Sequence, residues 1–65
     1  MRHWLIAIRK NQGLSQYEVA AKANISQSYY AELETGARGK ALKVSVAKAI
    51  AEVLGFDWTK FYETE

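Results

Sequence analysis

Only three residues, Ala23, Asn24 and Ile25, separate two helical patterns in this chain, and that short gap constrains the fold more than any other feature. The first pattern opens at Ser15, with Glu18 three residues on. In that arrangement each side chain satisfies the other residue's free backbone N–H. Val19, Ala20 and Ala23 then fall on one side. The second pattern runs from Ser26 to Thr35 and stops at Gly36. A turn this short forces two helices to cross steeply, as in a helix-turn-helix. The residue types suit such a crossing. Ala20 is small where the helices approach, and Asn24 tolerates the left-handed backbone that the turn requires. Ile25 fills the corner, while Val19, Tyr30 and Leu33 are spaced to fill the wedge between the helices.

The remaining chain is punctuated in the same way. Gly13, Gly36 and Gly55 each follow an apolar run, where a helix stop favours glycine, and Gly39 lies in the loop beyond the second stop. A first run over about residues 2–11 carries Leu5 and Ile8 on one face with Trp4 beside them. The run "VSVAKAIAEVL" spaces Val46, Ala47, Ile50 and Leu54 for a helix, with Ser45 as the expected cap. In the last, Asp57 caps "WTKFYE" and Trp58, Phe61 and Tyr62 are expected on one face. No run alternates with period two, and there is no repeat, low-complexity tract or linker. The spacing predicts an all-α fold of five short helices forming one domain over residues 1–65.

Composition narrows the function. A core of 65 residues supplies only about 3–5 kcal/mol of net stability, and with no cysteine there is no disulfide or thiolate metal site to add to it. No stretch approaches the roughly 20 apolar residues of a membrane span, and the apolar run after Arg2 is too short for a secretion signal. The expectation is a soluble cytoplasmic protein. Charge is uneven: residues 1–50 hold eight basic side chains against three acidic ones, a net +5, whereas beyond them Lys60 stands against Glu52, Asp57, Glu63 and Glu65, a net −3. A basic body with an acidic end suits a polyanionic partner, although a solvated surface of uneven charge is the plainer reading. An enzyme is not expected. His3 is the lone histidine, and nothing pairs a nucleophile with a base, cradles a phosphate with glycines or gathers metal ligands. No cofactor, metal or small-molecule ligand is expected.

At about 100° per residue, Tyr30 and Leu33 mark the buried side of the third helix, with Ser28, Ala31, Glu32 and Thr35 roughly opposite and Gln27 on the flank. Its first turn offers Ser26, Gln27 and Ser28, which are short, neutral and hydrogen-bonding. Glutamine pairs bidentately with adenine N6/N7, serine donates or accepts, and Glu32 can accept from cytosine N4. That end suits base edges, against the alternative of a capped and solvated helix start. Tyr29 can reach a phosphate with its hydroxyl or only cover the edge of the core.

The stretch "LSQYEVAAKANISQSYYAELETG" resembles the Xre family, the Cro/cI-type helix-turn-helix regulators of bacteria and phages. The resemblance extends from "LIAIRKNQGLSQ" to "VAKAIAEVLGFDWTKFYE", nearly the whole chain. It implies a lambda-repressor-like domain with the helix-turn-helix formed by helices two and three. By that resemblance Gln16 binds a phosphate, and Ser26, Gln27 and Ser28 read bases. Arg9 of the first helix pairs with Glu34 at the end of the third, while Arg38, Lys40 and Lys43 contact the DNA backbone. Two departures stand out: Asn24 replaces the usual glycine, and the loop from Gly36 to Ser45 is longer and more basic than in the compact phage repressors. Trp58, Phe61 and Tyr62 are expected as a core lid packing back on Trp4 and Leu5, and they are also a candidate homodimer face. The expected function is sequence-specific binding of double-stranded DNA by a transcriptional regulator, with repression as the default because no further domain is appended. The rival is a protein-interaction module on the same fold, an antitoxin or a small partner of another regulator, with the aromatic C-terminal face as its contact.

Overall fold

The computed structural model describes residues 1–36 and 42–63. Four α-helices, α1 (His3–Asn11), α2 (Gln16–Ala23), α3 (Gln27–Thr35) and α4 (Val44–Leu54), are followed by a 3-10 helix at Trp58–Tyr62. No strand occurs among the described residues.

Local chemistry starts and stops these elements. The Ser15 hydroxyl accepts from the Glu18 N–H at 3.0 Å, and the Glu18 carboxylate accepts from the Ser15 N–H at 2.8 Å, closing the expected capping box at the start of α2. Asn24 ends α2 in the left-handed conformation, with φ 61° and ψ 43°. The Ile25 N–H then bonds back to the Ala20 carbonyl at 2.9 Å, so the chain reverses within the turn. Ser26 caps α3 by accepting from the Tyr29 N–H at 3.1 Å.

The start of α4 differs from expectation. Lys43, extended at φ −81° and ψ 144°, is its N-cap and makes no side-chain cap bond, so Ser45 lies inside the helix. Burial decides the matter: Leu42 and Ala47 are both buried, which fixes where the extended chain must become helix. A serine cap, typically about 1 kcal/mol, yields to that packing.

The helices enclose one core, in which Leu5, Val19, Tyr30, Leu33, Ala47 and Ile50 are fully buried. α2 packs on both α3 and α4, α1 on α3, and the 3-10 helix on α4. Val19 and Ala20 are buried at the crossing of α2 and α3, and Ile25 packs half-buried against the same cluster.

The last element closes the core with aromatic rings. Asp57 accepts from the Thr59 N–H at 3.0 Å and so starts the 3-10 helix. Trp4 meets Phe56 and Phe61 edge-on at 5.2 and 5.3 Å between centroids. Trp58, Phe61 and Tyr62 do not all turn to the core, although the Trp58 and Tyr62 rings meet edge-on at 6.0 Å between centroids. Three residues per turn bring residues 58 and 61 into register and set residue 62 a third of a turn away. Phe61 is accordingly buried, Trp58 half-buried and Tyr62 exposed, with its hydroxyl donating to the Leu42 carbonyl at 3.1 Å.

The turn yields a direct test. Asn24→Gly should unfold at the same urea concentration as the wild type or a higher one. Asn24→Val, which places a β-branched side chain at positive φ, should lose about 1–2 kcal/mol. Equal stability of the two variants would contradict a required left-handed residue at this turn.

Candidate nucleic-acid interface

α3 turns two different faces to its surroundings. Tyr30, Leu33 and Glu34 are buried, whereas Gln27, Ser28 and Thr35 are exposed and Ala31, Glu32 and Tyr29 are half-buried. Gln27 and Ser28 therefore stand together at the exposed start of the helix. Ser26 is beside them; its oxygen already accepts the cap bond, which leaves its hydroxyl proton and one further lone pair to offer.

The other end of α3 is held from beneath. Arg9 Nε donates to Glu34 Oε2 at 2.6 Å and Arg9 Nη2 to Oε1 at 3.3 Å, a two-pronged pair between α1 and α3. Arg9 Nη1 also donates to the Leu14 carbonyl at 2.9 Å, which ties in the chain entering α2. Gln16 Nε2 adds a third contact to the carboxylate, donating to Glu34 Oε1 at 2.8 Å. Burial alone would raise the Glu34 pKa. The hydrogen bonds from Arg9 and Gln16 outweigh it and hold the carboxyl below the usual glutamate range. The bond to Glu34 in turn raises Arg9 above its ordinary value. The Tyr30 hydroxyl is also buried and lies beside the Glu34 carboxylate and the Arg9 guanidinium, without a well-formed hydrogen bond to either. Burial first, and the Glu34 carboxylate second, push its pKa well up.

Spacing did not reveal several of these contacts. The Arg2 N–H donates to the Glu34 carbonyl at 2.7 Å and its guanidinium to the Leu33 carbonyl at 2.5 Å. The same guanidinium stands 5.4 Å from the Phe61 ring centroid, so Arg2 joins the end of α3 to the aromatic lid. Gln12 Nε2 donates to the Leu54 carbonyl at 2.6 Å and so satisfies the end of α4. Tyr17, beside Gln16, is 66% exposed. An arginine near a helix end and an exposed tyrosine are compatible with many environments, so nothing in the sequence singled them out.

The basic segment divides. Lys43 is exposed at the start of α4, while Arg38 and Lys40 lie outside the described residues. Lys48 and Lys60 stand 5.2 Å from the Trp58 and Trp4 ring centroids, respectively. Among the described residues, no group of His, Cys, Asp or Glu is arranged to hold a metal, and no helix is long and apolar enough to cross a membrane.

Removing one partner of the buried pair strands the other charge. Arg9→Met and Glu34→Ala should each lose about 3–5 kcal/mol, comparable to the whole stability of so small a core. Breaking the exposed Lys60–Glu63 pair, 3.9 Å apart, should cost at most about 1 kcal/mol. Urea melts at neutral pH distinguish the two cases. Because the folded-state pKa of Glu34 lies below the unfolded one, its contribution is complete above the ordinary glutamate range. It disappears as pH falls through the depressed folded value. The urea midpoint should therefore fall in acid, and the exposed Glu18→Gln variant should retain most of that dependence.

Comparison with known proteins places this arrangement. The family model described as Helix-turn-helix matches residues 5–61, from the first turn of α1 to the 3-10 helix. A protein of Bacillus subtilis (strain 168), described as the uncharacterized HTH-type transcriptional regulator YqaF, is 48% identical over 63 residues, spanning 97% of this chain and 80% of that protein. No solved structure matches significantly. With α2, the left-handed turn at Asn24 and α3 all inside the matched region, the chain belongs to the Xre family of helix-turn-helix DNA-binding regulators.

Proposed function

We propose that the protein binds double-stranded DNA sequence-specifically in the cytoplasm and represses transcription by occupying its site. The observation that carries this reading is the exposed amide and hydroxyl end of α3, on a helix whose far end is anchored by a buried ion pair. The relative's description as an HTH-type transcriptional regulator supports the regulatory part.

In this reading α3 lies in the major groove. An α-helix with its side chains is about 10–12 Å across, and the groove is about 12 Å wide. Gln27 takes an adenine edge through N6/N7, Ser28 and the Ser26 hydroxyl proton add single bonds, and Glu32 accepts from a cytosine N4. Gln16, Tyr29 and Lys43 hold the flanking phosphates, with Arg38 and Lys40 beside Lys43 in the sequence. Such contacts set position rather than preference. Only the lysine and arginine contacts release counterions, and three to four of those give a slope of about −3 in log K against log salt. Two copies would read two half-sites about 34 Å apart. Of the three aromatic residues in the last element, Trp58 and Tyr62 are the ones available to a dimer contact, because Phe61 is turned into the core.

Binding titrations against duplexes that differ at single positions test the assignment. Gln27→Ala should lose about 1–3 kcal/mol and relax preference at one base pair. Lys43→Ala should weaken every sequence alike and flatten the salt slope by about one. Unchanged affinity and preference in Gln27→Ala would remove base readout from that residue. Absence of binding to any duplex at physiological salt would favour a protein-interaction module instead.

A further inference from the structure

The contact between Gln16 and Glu34 has a chemical polarity. An ionised carboxylate offers acceptors only, so only the NH2 edge of a glutamine amide can face it. Which way the Gln16 amide is flipped is therefore dictated by its neighbour. Nε2 points inward at 2.8 Å from Glu34 Oε1, and Arg9 at 2.6 Å keeps that carboxylate charged and fixed. Glu34 itself is only 2% exposed, so water does not compete for the position, while Gln16 is half-buried and reaches the surface. The amide nitrogen carries a second N–H. With the nitrogen held in place, that second N–H is the donor Gln16 retains for a ligand. A phosphate oxygen requires a donor, and a flipped amide would present it with Oε1, an acceptor.

We propose that Glu34 is the positioning residue for the Gln16 amide: besides joining α1 to α3, it fixes the amide so that Gln16 presents an N–H to a DNA phosphate. This rests on the reading that Gln16 faces a phosphate. It also runs against simple electrostatics. Glu34 is a negative charge near a DNA-facing side chain, so neutralising it would by charge alone tighten binding. Positioning predicts the opposite sign.

A double-mutant cycle on binding to a short duplex of mixed sequence tests this, using wild type, Gln16→Ala, Glu34→Gln and the double variant, each first shown to be folded by circular dichroism. Gln16→Ala should weaken binding about tenfold, the usual order for a hydrogen bond to a charged group. Glu34→Gln should also weaken it severalfold, and the double variant should bind no worse than Gln16→Ala. The salt slope should stay unchanged throughout, since neither side chain is a cation that displaces counterions. If Glu34→Gln binds as well as or better than wild type, or if the two losses add, positioning is overturned while the Gln16 contact stands. If Gln16→Ala alone changes nothing, the phosphate contact itself is wrong. Should Glu34→Gln not fold, side-chain amide NMR of the wild type decides. One Gln16 amide proton should be shifted and slow to exchange in the free protein, with the other moving when duplex is added. Two fast-exchanging, solvent-like protons would overturn the proposal.

Discussion

The buried pair between Arg9 and Glu34 is the interaction on which the remaining geometry depends. It lies where α1, the entry to α2 and the end of α3 meet, and Arg9 reaches all three through Glu34 and the Leu14 carbonyl. A charge pair in a small core is not the cheapest way to fill space, since two ions must leave water. What it provides is direction. Two parallel N–H bonds admit one arrangement of guanidinium and carboxylate, whereas apolar side chains of similar volume would allow the helices to slide. The exposed end of α3 is thus carried on a helix whose opposite end cannot shift without breaking that pair. Gln16 draws on the same carboxylate.

A second anchor acts from the other side. Arg2 bonds the last carbonyls of α3 and lies against the Phe61 ring, while Trp4 packs T-shaped against Phe56 and Phe61, which are tilted against each other. Cations near a helix C-terminus oppose its partial negative charge, so Arg2 favours the end of α3 electrostatically as well as by hydrogen bonds. A chain of this size has little apolar area to spare, and three clustered rings supply much of what its short helices cannot. The lid and α3 are therefore joined by one side chain.

Much of the fold was legible because the signals that set it are local. Ser15 with Glu18, Asn24 at the turn, Gly36 after α3 and Asp57 before the last element each act within a few residues, and each stands where its chemistry indicated. The errors arose where distant packing prevails over local preference. Ser45 is a good cap residue, but burial of Leu42 starts α4 earlier. The last element tightens to three residues per turn, which separates Tyr62 from Phe61. In the candidate interface, the polar start of α3 was readable from helical periodicity. The bond from Gln16 to Glu34 was not, because 18 residues separate the two and no pattern of spacing encodes which amide meets which carboxylate. The pairing of Arg9 with Glu34 entered through family resemblance for the same reason.

The central claim is that the exposed end of α3 reads base edges. Selection from randomised duplexes by the purified protein at near-physiological salt, followed by sequencing, tests it most directly. The expected result is an enriched motif, with a two-fold repeat spaced by about one helical turn if two copies bind together. Retention of duplexes without any enriched sequence, or no retention at all, would contradict it.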